Sequence, residues 1–523
     1  MNYAELFRIT LPETILEIAA LLVLIVDLGL LRKAVLSVRL AVAATLGVAG
    51  CIAAATAVAR LGVSWLSLGQ THDLTLLATG GFVGVAQIGI LVLTALTLLL
   101  LFDLEFTRHI GEFVAVVLMA AVGGMLIASA QDLLVIFIGL ELLSIGLYIL
   151  TAFAKTSGKS AESAMKYYLF GGMSAAFLLF GFSYFYGLTG TTNLALIQYR
   201  IALTGPSPLF YVAWIMVVAG LGFKVAAVPF HLWAPDAYEG APAPAAAFIA
   251  SVSKVASFAL LITLAMNWWL RPGGNLTAEG LPLERVLTAH YRTWPQLALV
   301  LLIAAAASMV VGNLAALAQT SVRRLLAYSA VAHAGYMLLG LAVHPAFTGR
   351  VTATAFSYNS FAPSLRSMES VLFYVLTYGL TTVGAFGVVS VVEEATGSDR
   401  LDAFLGLHKR NPVLAGILLA LLLSLAGIPP LVGFWAKFNL FAAVLGQHAG
   451  TVPLLLVALA IAMSAVSLYY YLQVLKRAYV MAPVDEERID VHPVVMTTLL
   501  FIAAMVVLLG CFPTLLGAWI DGF

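Results

Sequence analysis

Four lysines and one glutamate lie inside long apolar stretches of this 523-residue chain, and their chemistry stands out from their surroundings. The lysines are Lys166, Lys224, Lys254 and Lys437, and the glutamate is Glu141. A charged side chain in a hydrocarbon environment costs several kcal/mol or more, so such residues usually face a bundle interior or water. We therefore treat them as candidate functional residues.

The choice of lysine over arginine indicates a group that loads and unloads a proton. Arginine stays protonated at any accessible pH, whereas burial lowers the pKa of a lysine. His231 lies two helical turns after Lys224, with Pro229 between them, and His333 lies in a later apolar run. A proline break here either serves packing alone or frees carbonyl groups that line a proton path.

Each candidate also has a plainer interpretation. Lys224 or Lys166 can pair with Glu141 either to tune a proton site or as a structural ion pair. Lys437 follows a second break and either acts in the interior or extends to an interface. His333 acts as a relay or as a hydrogen-bonded packing residue. The spacing of histidines and cysteines predicts no metal site.

A polar stripe is expected around Lys254, because Ser251 and Ser257 lie three residues before and after it and share its helix face. In the second half of the chain no lysine matches Lys254, and the corresponding span offers Ser464 and Ser467 instead.

The composition requires a membrane to position these groups. Hydrophobic residues make up 62% of the chain and charged residues 10%, with a mean hydropathy of +1.03, whereas soluble domains carry about 25% charged residues. A net charge of +1 argues against a nucleic-acid partner. The two cysteines, Cys51 and Cys511, lie in apolar runs and indicate neither a disulfide framework nor a metal cluster.

The apolar runs predict an all-α polytopic membrane protein with about 14 transmembrane helices. Their centres lie near Leu22, Leu46, Leu91, Val117, Leu142, Leu178, Val218, Ile249, Leu302, Leu338, Leu380, Leu421, Leu456 and Ile502. No strands are predicted, and the polar stretches Arg271 to Thr293 and His344 to Arg366 are expected to be loops.

Two spans carry internal breakers. Pro229 and Pro235 interrupt one, and Pro429 and Pro430, between Gly427 and Gly433, interrupt the other. Similar breaks in two halves indicate a repeated transporter architecture. The second break comes five spans after the first, so the halves would run in opposite directions.

The basic residues predict the orientation. Of the 26 lysines and arginines, 14 fall in loops on one side, eight on the other, and four are the lysines inside the spans. Because cytoplasmic loops are rich in lysine and arginine, both termini are expected outside the cytoplasm.

Several segments resemble the antiporter-like membrane subunits of proton-pumping NADH:quinone oxidoreductase, respiratory complex I, and above all its subunit N. They are Ile138-Gly-Leu-Glu-Leu-Leu-Ser, Ala161-Glu-Ser-Ala-Met-Lys-Tyr-Tyr-Leu, Gly222-Phe-Lys-Val-Ala-Ala-Val-Pro-Phe-His-Leu-Trp-Ala-Pro-Asp-Ala-Tyr-Glu-Gly-Ala-Pro, Ser251-Val-Ser-Lys-Val-Ala and Gly427-Ile-Pro-Pro-Leu-Val-Gly-Phe-Trp-Ala-Lys-Phe. The resemblance covers nearly the whole chain. A sibling subunit typically has glutamate where this chain has Lys437.

The resemblance implies two inverted five-helix repeats with two broken helices. It divides the chain into an N-terminal three-helix extension (residues 1–110), a first antiporter-like repeat (111–270), a second (295–476) and a C-terminal transmembrane helix (490–523). It implies a bacterial inner-membrane location with both termini in the periplasm. The implied partners are lipids, the neighbouring antiporter-like subunit M and the small subunits J and K.

For the site, the resemblance implies that Glu141 and Lys224 form the input pair and that Lys166 and Lys254 relay protons along the membrane plane. His231 and His333 would connect them, and Lys437 would be the terminal proton site. It implies no cofactor in this chain, with NADH, FMN, iron–sulfur clusters and quinone held by partner subunits. We therefore expect a subunit of a redox-driven proton translocase, with no redox chemistry of its own.

Two other functions compete with this expectation. A Mrp-type cation/proton antiporter would use the same charges without redox partners. A structural scaffold would have little reason to retain so many costly charges.

Overall fold

All the predicted span centres lie in helices of the structure, which is a computed structural model. It describes residues 7–61, 64–67, 75–103, 107–269, 283–342, 362–447, 451–483 and 487–522. Within these ranges twelve helices are long and apolar enough to cross a membrane, and shorter apolar helices supply the remaining spans. The prediction of an all-α polytopic membrane protein is confirmed.

The helices up to residue 269 include the three predicted N-terminal spans and five that follow. They are α1 Leu11–Ile25 (extended by a π-helical turn, Val26–Leu30), α2 Leu36–Arg60, α3 Gly81–Leu99 (extended by a 3-10 turn, Leu100–Asp103), α4 Ile110–Ser129, α5 Leu133–Thr151, α6 Gly158–Thr189, the short α7 Leu194–Thr204, α8 Pro208–Val225, α9 Trp233–Gly240 and α10 Ala243–Trp269.

The remaining helices follow the same order of long spans around one broken span. They are α11 Leu283–Leu317, α12 Val322–Ala342, α13 Ala362–Thr396, a 3-10 turn Leu401–Phe404, the short α14 Leu407–Arg410, α15 Pro412–Ala426, α16 Val432–Gln447, α17 Thr451–Tyr479, α18 Pro493–Cys511 and the short α19 Thr514–Gly522.

Two details differ from the sequence analysis. Strands β1 (Ser64–Ser67) and β2 (Thr75–Thr79) form an antiparallel hairpin between α2 and α3. They are too short for their alternation to be visible in the sequence. Residues 283–293, expected in a loop, belong to α11, and residues 362–366 begin α13, because hydropathy marks the apolar part of a helix and not its ends. The rest of the two expected loops lies outside the described residues.

Polar side chains define where several helices begin. The Asp132 carboxylate accepts the backbone N–H of Leu134 at 2.8 Å at the start of α5. The side chain of Asn411 accepts the N–H of Leu414 at 3.0 Å, and Pro412 occupies the first turn of α15. Such caps satisfy N–H groups that have no partner within the helix.

The most buried helices form the centre of the bundle. The apolar parts of α10, α12 and α13 are almost entirely covered by other helices, whereas α6 and α17 leave most of their surface uncovered. Helices α10 and α13 pack along each other, so the five spans from α4 to α10 meet the five from α11 to α17 here. The interior charges therefore lie close to this contact.

The two predicted broken helices are confirmed, and their backbones match. α8 ends at Val225, and α15 ends at Ala426. The next residues, Ala226 and Gly427, are both left-handed, with φ of 58° and 88°. A cis Val228–Pro229 bond follows in the first break and a cis Pro429–Pro430 bond in the second. Each break falls in the fourth of five successive spans.

The α4–α5 pair gives a test of the packing. A Cβ atom at Gly123 would lie 2.5 Å from the backbone nitrogen of Leu143, on the helix that also carries Glu141. We expect Gly123→Ala to destabilise the protein by about 1–3 kcal/mol, because overpacking forces backbones apart. At Gly172 a Cβ atom meets nothing within 4 Å, so Gly172→Ala serves as the matched control. Thermal unfolding of the full chain in detergent would measure both, and equal unfolding temperatures would contradict the prediction.

Candidate functional site

The first cluster lies where α5 meets the end of α8. Lys224 is buried, and its ammonium donates a hydrogen bond to the Ser144 hydroxyl of α5. Glu141 lies one turn before Ser144 on the same helix. No ion pair within 4.0 Å joins Glu141 to a lysine in the described part of the chain. Lys224 therefore binds a serine that the sequence analysis did not single out.

Lys254 lies on the far side of the same break. Its side chain is 1% exposed, and its ammonium donates to the Val225 carbonyl at 3.2 Å and to the Ala330 carbonyl of α12 at 2.6 Å. Val225 is the last residue of α8, so its carbonyl has no partner further along that helix. The expected serine stripe does not hold the ammonium, because Ser251 donates to its own helix.

His333 lies on α12, one turn after Ala330 and one turn before Tyr336. Its Nδ1 lies 2.9 Å from the hydroxyl of Tyr374, and its Nε2 lies 3.5 Å from the hydroxyl of Tyr471. The Lys254 ammonium donates to the Ala330 carbonyl one turn before His333, and the Lys437 ammonium lies over the ring of Tyr336 one turn after it.

Buried tyrosines surround His333, and the sequence analysis missed them. The Tyr471 hydroxyl is hydrogen-bonded to Ser329, and the Tyr336 hydroxyl accepts from Asn313 at 3.1 Å. Tyr470 donates to Asn313 at 3.1 Å. These residues come from three different helices, so no spacing in the sequence links them. The signal available was the position of each tyrosine in the middle of an apolar span.

Lys437 lies against the second break. Its ammonium donates to the carbonyl groups of Leu425 at 3.0 Å and Ala426 at 2.8 Å, and to the Ser464 hydroxyl at 2.8 Å. The side chain is buried, and its nitrogen lies 5.5 Å from the centre of the Tyr336 ring. Lys437 therefore stays in the interior and does not extend to an interface.

His231 lies in the turn between α8 and α9. Its ring centre is 6.5 Å from that of Tyr328 on α12. Val228, directly before Pro229, donates its backbone N–H to the Ser308 hydroxyl of α11 at 2.8 Å. This hydrogen bond holds the turn against the second set of spans. No hydrogen bond joins His231 to Lys224 or Lys254 among the described residues.

Lys166 does not lie in the interior, and the expectation that it is buried near Glu141 is wrong. Its side chain is 43% exposed, and its ammonium forms ion pairs with Glu162 at 2.7 Å and Asp236 at 2.9 Å. Hydropathy records that a residue belongs to an apolar helix, but it does not show which face of that helix points inward. α6 lies at the edge of the bundle, so this distinction decides the position of Lys166.

The arrangement suits proton transfer better than metal chemistry. No group of three or more histidine, cysteine, aspartate or glutamate side chains could hold a metal ion within the described ranges. The interior instead holds ammonium, imidazole and hydroxyl groups, each of which can carry a proton. The order along the bundle is Glu141, Lys224, Lys254, His333 and Lys437.

Comparison with known proteins gives a consistent result. The family described as NADH:quinone oxidoreductase/Mrp antiporter, TM, matches residues 130–272 and 276–464. NADH-quinone oxidoreductase subunit N 2 of Acidobacterium capsulatum is 44% identical and is matched over 99% of both chains.

Solved structures show the same fold. A chain of respiratory complex I from Thermus thermophilus is 32% identical with a TM-score of 0.73, covering 96% of this chain and 98% of that one. A chain of the Mrp complex from a Dietzia species is 19% identical with a TM-score of 0.73, covering 97% and 96%. This second likeness shows the fold alone.

The second break gives a matched pair of substitutions. A Cβ atom at Gly427 would lie 2.9 Å from Cδ and 3.3 Å from Nζ of Lys437. Gly427→Ala also places an L side chain in left-handed backbone, which costs about 1–2 kcal/mol. We expect it to lower the unfolding temperature and to displace Lys437.

The control is the reverse change at the corresponding place in the first break. Ala226→Gly relieves a left-handed alanine, so we expect it to be tolerated. Thermal unfolding and ion transport of the assembled protein would be compared for both variants. A Gly427→Ala protein with unchanged stability and transport would disprove the assigned contact.

Proposed function

The chain belongs to the NADH:quinone oxidoreductase/Mrp antiporter transmembrane family, and on this premise we propose that it translocates protons as a membrane-arm subunit of a complex I-type NADH:quinone oxidoreductase. It is a subunit of a translocase enzyme. Relatives named subunit N of that oxidoreductase match over almost the whole chain, and a complex I chain has the same fold.

The observation that carries this proposal is the contact between buried lysines and the broken helices. The Lys254 ammonium binds the carbonyl of Val225, the residue directly after Lys224. It also binds Ala330, one turn from His333. Two proton-carrying groups on different helices are thus joined through one interrupted backbone.

In the proposed mechanism, a change at the Glu141 end drives the proton forward. Glu141 lies one turn before the serine that binds Lys224, and a carboxylate placed there attracts the ammonium, because opposite charges interact strongly where water is scarce. When a partner subunit draws that carboxylate away, Lys224 holds its proton less tightly. The proton then passes to Lys254.

The second half of the path uses His333 and Lys437. The Lys254 ammonium binds the backbone one turn before His333 and the Lys437 ammonium lies against Tyr336 one turn after it, so His333 connects the two lysines in this path. Lys437 is the terminal site, held by Ser464 and two carbonyl groups. His231 supports transfer at the first break. Lys166 lies outside this path, because its ammonium is paired at the surface of α6.

The remaining assignments follow from the family. NADH, FMN, iron–sulfur clusters and quinone belong to partner subunits, and the neighbours of this chain are subunits M, J and K. The protein is a multi-pass membrane protein. We place it in the bacterial inner membrane with the lysine- and arginine-rich side in the cytoplasm and both termini in the periplasm.

Lys254 gives the sharpest test of this function. We expect Lys254→Met to abolish proton pumping driven by NADH oxidation in membrane vesicles, while the complex still assembles. Lys254→Arg should also fail, because arginine keeps the charge but does not release a proton. Lys224→Leu should behave like Lys254→Met.

The matched control is Lys476→Met, which removes an exposed lysine near the end of α17. It should pump protons normally. Normal pumping by Lys254→Arg would contradict the proposed proton-transfer role of Lys254, since a fixed positive charge would then be enough for pumping.

A second candidate is a Mrp-type cation/proton antiporter, favoured by the shared fold with the Dietzia chain. We expect the purified chain alone, reconstituted in vesicles, to show no exchange of Na⁺ for H⁺ across an imposed sodium gradient. The exchange would be followed with a pH-sensitive dye, and the Lys254→Met chain would give the background. Exchange above that background would favour the antiporter.

A further inference from the structure

Two consecutive arginines at the start of α12 bind the short helix α9. The Arg324 guanidinium lies 2.7 Å from the Asp236 carboxylate and 2.9 Å from the Glu239 carboxylate. Both carboxylates lie on α9, one turn apart. A single arginine of the second set of spans therefore holds two positions of a helix in the first set.

Arg323 holds the end of the same helix through its backbone. Its Nε donates to the Tyr238 carbonyl at 3.0 Å, and its Nη2 donates to the Ala241 carbonyl. Its Nη1 forms an ion pair with Glu393 of α13 at 3.1 Å. Carbonyl groups in the last turn of a helix lack partners within it, and the planar guanidinium satisfies two of them at once.

Lysines of α6 hold the other side of α9. Lys166 pairs with the second oxygen of Asp236 at 2.9 Å, and Lys159 pairs with the second oxygen of Glu239 at 2.8 Å. Each carboxylate of α9 thus binds one cation from α6 and shares Arg324 from α12. Loss of Arg324 alone would leave both carboxylates paired.

α9 needs this support because it has eight residues and follows a break in the backbone. An isolated helix of that length is marginal in stability. Its first residue, Trp233, donates from Nε1 to the Phe223 carbonyl at 2.9 Å, next to Lys224. A shift of α9 would therefore pull on the backbone next to Lys224 through this hydrogen bond.

We propose that Arg323 and Arg324, together with Asp236, Glu239 and the carbonyl groups of Tyr238 and Ala241, form an arginine clamp that makes α9 and α12 move together. α12 also carries Ala330 and His333, so the clamp keeps Lys224 aligned with the groups that receive its proton. Arg323 and Arg324 are positioning residues in this proposal, which rests on the proposed function.

The test compares variants of the assembled complex in membrane vesicles. We expect Arg324→Gln to lower the rate of proton pumping during NADH oxidation by roughly tenfold, since small misplacements of reacting groups cost one or two orders of magnitude in rate. Backbone amides of α9 should also exchange hydrogen faster in this variant, measured by mass spectrometry.

Conservative replacements separate positioning from general stability. Arg324→Lys keeps a charge between the two carboxylates and should restore most of the pumping. Arg323→Lys should not, because one ammonium does not reproduce the fork that binds two carbonyl groups and Glu393. The control is Arg477→Gln, which removes an arginine 3.6 Å from Asp402 on the same side of the bundle and should change neither measurement.

Two results would overturn the clamp. One is a normal rate of proton pumping in assembled Arg324→Gln complex, and the other is unchanged exchange of the α9 amides. Lys254→Met is measured alongside. If it stops pumping while Arg324→Gln does not, the clamp fails and the proposed function stands; if it pumps normally, the proposed function itself fails.

Discussion

A backbone carbonyl that loses its helical partner inside a membrane has no water nearby to replace it, and both broken helices are built around this constraint. At the first break the Val225 carbonyl accepts from Lys254, and at the second the Leu425 and Ala426 carbonyls accept from Lys437. The same contacts lower the cost of burying the ammonium groups. Break and lysine thus stabilise each other.

This mutual dependence also joins the two sets of spans. Lys254 belongs to the first set but donates to Ala330 in the second. The turn of the first break is held by Ser308 of α11, again in the second set. The arginine clamp adds a third link at the end of α9. Residues of the second set of spans therefore bind the groups around the first break, so the two sets depend on each other for this part of the structure.

The chemistry of the interior follows from how the central helices are covered. α10, α12 and α13 are surrounded by protein, so Lys254, His333 and the tyrosines near them are shielded from both lipid and bulk water. Charges in such surroundings interact more strongly than at a surface. The edge helix α6 gives Lys166 the opposite environment, and there the same residue type forms surface ion pairs.

Hydropathy and proline placement alone determined the membrane class, the spans, both breaks and the candidates Lys224, Lys254 and Lys437, because a charge or a proline in an apolar run is visible locally. The β-hairpin was too short to leave a pattern. Only the tertiary structure decided that Lys166 lies at the surface, that Ser144 binds Lys224, and that Tyr374 and Tyr471 flank His333. These relations join helices far apart in the chain, and packing, not spacing, sets which faces meet.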